Sequence, residues 1–536
     1  MTDMTRRHGG AQKLASARGV RLAKLEGGVA LIALCGALAL PTAAFADTAS
    51  EIAALKAQLK RLEARMAEQA KTTHQVKNAL NSAKSAPGAG APPPVFVSFK
   101  NGLFVETEDG DFNFKVGGRI QVDGGFGGPA SFGTNNLYSA SNVGFRRARL
   151  EVEGKAYKNW FYKFQYDFTG SGAAGIRDAF LAYRDKLLPE EITSQPVTFQ
   201  VGNQYEPFGL ETLNSSKHIT FIERAMTEAL TPARHIGASI GVGDKQWSVK
   251  TGIFSTSPQD ASTSPPAGQG QYWDAAIRAT YAPIKQDDAL VHLGASFLYH
   301  QPENTTSATD ANFLRPGQAS RDEFDVLGGG GTLIRLPVNA TSSDLACAKV
   351  AAGATTASLA GNSCLKYSYN YGFEGAVAYG PFSAQAEYVG AQYERDAANI
   401  AARGANGGSS INFSSYYVYG SVFLTGESRA ASYRGYDKDW NTPGTFHDVA
   451  IKNPLGKGGY GAWEFAARFS ELNLNNSGLF GGREENLTLA LNWYPVRGVR
   501  LQANWTRVMN LVGPSDRAYL TGQHPNAFIA RAQVFW

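Results

Sequence analysis

The stretch AFIARAQVFW, Ala527 to Trp536, is where the fold is decided. Successive side chains of an extended strand point to opposite faces, so Phe528, Ala530, Ala532, Val534 and Trp536 share one face. A face that is apolar throughout and aromatic at both ends suits a strand with lipid on one side and a water-filled lumen on the other. A soluble sandwich also has strands with one apolar and one wet face. It has no need of aromatics at both ends of many such faces.

The same period runs back to about Phe112. Phe114, Val116, Ile120 and Val122 oppose Lys115, Arg119, Gln121 and Asp123, and Trp160, Tyr162, Phe164, Tyr166 and Phe168 oppose Lys163, Gln165 and Asp167. Arg468 opposes Trp463, Phe465, Ala467 and Phe469, and Arg500 opposes Leu501, Ala503 and Trp505. In FRRARLEVEGKAY, Phe145 to Tyr157, a row of Arg147, Arg149, Glu151, Glu153 and Lys155 faces away from Ala148, Leu150, Val152, Gly154 and Ala156. Arg146 has the opposite parity and is expected at the lip, where the strand ends.

About sixteen such segments are legible, beginning near residues 112, 143, 159, 177, 196, 235, 246, 272, 289, 367, 381, 414, 460, 484, 498 and 526. The number is even, and tight turns such as Gly243-Asp244-Lys245, Gly380-Pro381 and Pro495 to Gly498 take turns with longer polar loops. Both properties predict an all-β, sixteen-stranded antiparallel transmembrane barrel over 97–536. Residues 426–459 fall on the short-turn side, and nothing in the pattern explains their length.

Three segments precede that barrel. Residues 1–46 read as a cleaved secretory signal: a basic stretch, an apolar run from Val29 to Leu40 too short to span a bilayer, and the small-residue site Ala44-Phe45-Ala46. Residues 47–81 carry Ile52, Leu55, Leu59, Leu62, Met66, Val76 and Leu80 at alternating three- and four-residue steps, which predicts a short coiled-coil helix. A lone amphipathic surface helix is the alternative. The Pro/Gly/Ala-rich stretch 82–96 is a semi-rigid linker.

Six of the 51 Lys and Arg and two of the 46 Asp and Glu lie in the leader, which leaves 45 basic and 44 acidic residues. Anionic partners must therefore be argued from where the arginines sit, and nothing in that balance asks for nucleic acid. Cys35 leaves with the leader, so Cys347 and Cys364 remain as an even pair in an exported chain and read as a loop disulfide. Closing a loop of that size is worth roughly 3 kcal/mol in the chain-entropy model; two unpaired thiols are the alternative.

Catalytic and cofactor motifs are lacking. Gly237-Ala238-Ser239-Ile240-Gly241 matches the hydrolase elbow in letters but lies inside an alternating run with no helical pattern after it. Gly328 to Gly331 lacks the Lys-Ser/Thr of a phosphate loop, and the eight histidines show no metal-ligand spacing. The segment Tyr205 to Gly237 is different. It interrupts the period for about thirty residues, contains a helix-compatible stretch from Ser216 to Leu230, and carries Lys217, Arg224 and Arg234. In a barrel wide enough for an aqueous channel, such a loop can fold inward and narrow the pore. The alternative is a loop lying flat on the outer surface.

FKVGGRIQVD, FRRARLEVEGKAYKNWFYKFQYDF, VGNQYEPFGLE, SSK, ER, PFSAQAEYVG, LTGESR, GAWEFAARF and LALNWYPVRGVRLQANWTRV, in this order, resemble the phosphate- and polyphosphate-selective porins of the O and P type. The resemblance covers nearly the whole chain after the linker. It implies a homotrimer of sixteen-stranded barrels in the outer membrane of a Gram-negative bacterium, without enzymatic activity or cofactor, and with inorganic phosphate or other small anions and outer-membrane lipid as partners. By position, it assigns Arg146 and Arg147 to the pore mouth and Asp178 to the constriction. Tyr205, Ser215, Ser216, Lys217 and Arg224 fall on or beside the anion-contacting inward loop, and Arg315 and Arg321 on an arginine ladder. The sequence departs at Arg149, where the family has an aromatic, at Gly317 and Phe313, where it has arginines, and at Thr212, where it has a lysine.

Arginine keeps its charge at any working pH and offers a planar fork to phosphate oxygens. Arg224, at the narrowest point, is expected to act on a passing anion more sharply than Arg146, with Lys115, Arg119, Arg468 and Arg500 as further lumen-facing cations. The expected function is passive uptake of phosphate, polyphosphate or related anions. A weakly selective diffusion pore and a structural tether between outer membrane and cell wall are the alternatives.

Overall fold

A computed structural model describes residues 94–99, 102–127, 141–170, 175–258, 272–302, 365–403 and 407–536, with short pieces at 68, 333–334, 338–339 and 342–343. The leader, the cysteine pair, Arg315 and Arg321 lie outside these residues, and of the heptad segment only Glu68, helical, is described. Residues 93–536 form one compact unit.

Its main sheet has eighteen strands. Two of them, β1 (Val95–Phe99) and β2 (Leu103–Thr107), are a hairpin paired onto β3. The other sixteen are β3 (Asn113–Gly127), β4 (Ser141–Ala156), β5 (Trp160–Asp167), β6 (Ile176–Asp185), β7 (Val197–Tyr205), β8 (Arg234–Gly243), β9 (Trp247–Phe254) and β10 (Trp273–Lys285), then β11 (Ala289–Gln301), β12 (Leu365–Tyr379), β13 (Phe382–Arg395), β14 (Ser410–Phe423), β15 (Ala462–Asn476), β16 (Leu479–Tyr494), β17 (Val499–Val512) and β18 (Asn526–Phe535). Each pairs antiparallel with its neighbour, and β18 closes on β3 from Ala527↔Gly127 to Phe535↔Arg119. Every strand of this ring begins within five residues of its place in the sequence pattern.

The alternation that suggested a barrel sets its two faces. Along β18, Phe528, Ala530, Ala532 and Val534 are exposed outward, whereas Ala527, Ile529, Arg531 and Gln533 are buried inside. Aromatic pairs mark both rims of the outer face: Phe126 stacks on Phe528 at one end, and Trp463 on Trp493 at the other. The seam needs a residue without a side chain at Gly118. A Cβ there would lie 2.6 Å from the Trp536 ring and 2.7 Å from the Arg149 carbonyl oxygen.

Two connections depart furthest from the short-long alternation. The link between β15 and β16 is only Ser477-Gly478, both at positive φ (46° and 86°), a tight hairpin on the side that otherwise carries long loops. The other is the long connection 424–461, whose length now has an explanation: it folds into the barrel and is anchored to several wall strands. Tyr436 Oη lies 2.7 Å from Thr198 Oγ1 of β7, Lys250 of β9 donates to the Asn441 carbonyl at 2.9 Å, and Arg278 of β10 donates to the Pro443 carbonyl at 2.6 Å. Crossing the interior takes more chain than a turn does.

The segment 206–233, between β7 and β8, also folds inward. It is not the helix that Ser216 to Leu230 suggested: only Leu210–Leu213 and Met226–Leu230 are helical, the second as a 3-10 turn. Its shape is set by packing instead. Phe208, Leu210, Ile219, Phe221, Ile222, Met226 and Leu230 are all at most 2% exposed inside the barrel. Each such side chain contributes about 1.5–3 kcal/mol relative to exposure, so the segment holds itself against the wall.

Candidate functional site

Apolar packing alone would leave the segment's backbone carbonyls without partners, at a cost for each. The lumen face of the wall supplies the donors. Gln121 donates to the Ser216 carbonyl at 3.0 Å, Arg500 to Ile219 at 2.7 Å, Asn492 to Thr220 at 2.9 Å, Arg531 to Ile222 at 2.6 Å, and Arg468 to Glu223 at 3.1 Å. Arg468 and Arg500 thus face the lumen, as their parity requires, but they are spent on anchoring the inward segment.

Glu223 is the keystone on the long-loop side. It accepts two hydrogen bonds from Arg146 (2.8 and 3.1 Å) and one from Arg531 (2.8 Å), and lies 3.9 Å from Arg147. Arg146 reaches it from mid-strand rather than from a lip. A register shift at Gln121/Val122 inserts one extra residue into β4 there, and such a bulge re-aims side chains that strict alternation would send outward. Arg147 donates to Gln121 Oε1 at 2.9 Å.

Below the segment, toward the short-turn end, lies a cavity of about 570 Å3. Arg119, Arg149, Asp178, Tyr205, Ser215, Ser216, Lys217 and Lys115 all line it, so this part of the expected site is brought together. Arg146, Arg147, Arg224, Arg468 and Arg500 do not. Arg224 is consumed mostly within its own segment, donating to the Glu211 carbonyl at 2.9 Å, the Asn214 carbonyl at 2.7 Å and Glu228 at 3.3 Å, and beyond it to Tyr205 Oη of β7 at 3.4 Å. It shapes the loop and does not present its fork to this cavity.

Within the cavity the cations differ in how far they are neutralised. Arg149 donates to Asp167 at 2.7 Å, Arg234 lies 2.7 Å from Asp178, and Lys217 lies 2.9 Å from Glu151. Burial pulls the pKa of the Lys217 ammonium down, with Glu151 opposing it. Arg119 is different. It donates to the neutral hydroxyls of Ser216 (2.6 Å) and Ser215 (3.3 Å), and among the described residues its carboxylate contact within 4 Å, Glu151, is 3.9 Å away.

The connection 424–461 adds cations that the sequence reading missed. Arg434 and Lys438 line the cavity. Among the described residues, Arg434 donates to the carbonyls of Ala431 (2.9 Å) and Tyr433 (3.2 Å) rather than to a carboxylate. Lys163 and Arg234 were visible in the pattern but unassigned. Among the described residues, nine Lys and Arg line the cavity (115, 119, 149, 163, 217, 234, 434, 438 and 497) against five acids (151, 153, 178, 439 and 448), a positive excess. Burial opposes ionisation of Asp439, but hydrogen bonds from His447 and from Thr442 keep its carboxyl below the ordinary value.

A family model described as phosphate-selective porin O and P matches residues 114–335 and 344–536. The chain belongs to that family. As a porin of the O and P type it is an outer-membrane channel of a Gram-negative bacterium, a class built for passage rather than catalysis. It is 28% identical over 432 residues to porin O of Pseudomonas aeruginosa, a match that spans 77% of this chain and 86% of that protein. It is also 28% identical over 508 residues to an uncharacterised protein of Caulobacter vibrioides, spanning 89% of each. Among solved structures, an anion-selective porin from Comamonas acidovorans aligns with a TM-score of 0.42 at 10% identity, covering 79% of this chain and all of that one.

Proposed function

We propose that this porin prefers anions and takes up phosphate or a related small oxyanion through the cavity beneath the inward segment. The observation that carries the reading is Arg119: a charge-bearing fork turned to the hydroxyls of Ser215 and Ser216 in a cavity with a surplus of cations. An anion can exchange with a neutral hydroxyl acceptor without first displacing a carboxylate. Sites of this kind admit an ion and release it, as conduction requires. Arg434 and Lys438 extend the positive path toward the short-turn end, which in such barrels faces the periplasm.

The working unit is a homotrimer, exported after cleavage of residues 1–46 and assisted in assembly by the heptad segment 47–81. A second reading, a weakly selective diffusion pore, is favoured by the pairing of Arg149 with Asp167 and of Arg234 with Asp178. Single-channel chloride current in the presence of added phosphate separates the two. Concentration-dependent block that weakens in Arg119→Ala is expected for the oxyanion path, whereas current indifferent to phosphate would favour the diffusion pore.

A further inference from the structure

The inward segment and the 424–461 connection meet at two histidines. His218, from the segment, stacks on His447, from the connection, with ring centroids 5.4 Å apart and planes 21° from parallel. One nitrogen of each ring and one carboxylate oxygen of Asp448 lie within 4.8 Å of one another. All three side chains line the cavity. We propose that His218, His447 and Asp448 form a binding site for a transition-metal dication of the Zn2+ or Ni2+ class, which staples the inward segment to the connection.

The donor set suits such an ion. Two imidazoles and one carboxylate leave a coordination position open for water or a passing anion, the arrangement of an accessible rather than a closed zinc site. Imidazole donors favour Zn, Ni and Cu over the hard cations Mg and Ca, which take oxygen.

The surroundings hold the rings in place. Asp439 Oδ2 lies 3.1 Å from His447 Nε2, the carboxylate–imidazole pairing that fixes ring orientation at metal sites. Asp439 is itself fixed by the backbone N–H groups of Asn441 and Thr442, each at 3.0 Å, and by the Thr442 hydroxyl at 2.9 Å. The Phe535 ring meets His218 edge-on at 5.5 Å. Arg497 donates to Asp448 Oδ2 at 2.8 Å, and the other oxygen, Oδ1, is the one that faces His218 Nε2, 3.9 Å away. That guanidinium competes with a bound cation for the carboxylate and weakens it as a ligand.

Because its ligands come from two separate inward-folded segments, a bound metal would restrain both and occupy space on the path between them. Calorimetric titration of the folded full chain in detergent with Zn2+ tests the site directly. Binding of one ion per chain that weakens about tenfold or more in His447→Gln and in His218→Gln is expected. Folding of each variant is checked by heat-modifiable electrophoretic mobility. No binding by the wild-type chain, or equal binding by the two folded variants, overturns the site. The staple is read separately, by current. Zn2+ added at the short-turn side is expected to block the pore reversibly, with relief by EDTA, while Mg2+ does not and His447→Gln escapes. Zn2+ that binds by calorimetry but leaves the current unchanged overturns the staple. The binding readout does not depend on which ion the pore prefers, so it stands or falls apart from the anion reading.

Discussion

Replacing Glu223 by Gln keeps the side chain's shape and removes the charge on which three arginines converge. Arg146 donates to it twice and Arg531 once, with Arg147 3.9 Å away. Charge-assisted hydrogen bonds contribute about 1.5–3 kcal/mol each, and breaking a buried pair by neutralising one partner costs about 3–5 kcal/mol. The low end applies here, because the Arg146 side chain is 22% exposed and water recovers part of the loss, while Arg531 keeps Asp123 at 2.6 Å. A loss of about 3 kcal/mol shifts the docked–undocked equilibrium of the inward segment roughly a hundredfold. Limited proteolysis in detergent reads that equilibrium when opening is fast relative to cleavage. Cleavage within 215–228 should rise by at least an order of magnitude, with noisier open-channel current, while the barrel keeps its heat-modifiable mobility. Cleavage and noise equal to the wild type would show that Glu223 is not the keystone.

Other outcomes follow from the same geometry. Converting Arg434 and Lys438 together to Glu should move the zero-current potential toward cations, and an unchanged potential would place both outside the conducting path. Gly118→Val should prevent seam closure, since its Cβ would meet the Trp536 ring at 2.6 Å and the Arg149 carbonyl at 2.7 Å; a folded, heat-modifiable variant would contradict the crowding. Deleting 50–80 should weaken trimer recovery on native gels without abolishing barrel insertion, because the strand ladder closes within one chain. Loss of all folded barrel in that deletion would make the helix part of the fold.

The barrel was legible because one periodicity governs it: lipid outside and water or protein inside force alternation on every strand, and β18 obeys it residue by residue. The same rule misplaced Arg146, since a bulge breaks parity by a single residue and leaves no mark in composition. The contribution of the 424–461 connection was half visible. Its length stood out against the short turns, but an inward fold built on scattered contacts such as Arg278 to Pro443 has no period to read. Pairings distant in sequence, Arg531 with Glu223 and His218 with His447, depend on closure and on two segments meeting in the lumen. Lumen parity announced that Arg468 and Arg500 point inward; it could not say that the carbonyls of Ile219 and Glu223 would take them. Arg224 was assigned to the anion path for its place on the loop, yet the loop's own turns need its donors.

The most direct test of an anion path beneath the inward segment is the zero-current potential of the wild-type protein reconstituted in a planar bilayer under a KCl gradient. Nine cations against five acids around one cavity lead to a potential of the sign and size of a chloride-preferring pore, reduced at high ionic strength as screening shortens the reach of those charges. A potential near zero, or one with the sign of potassium preference, would contradict it.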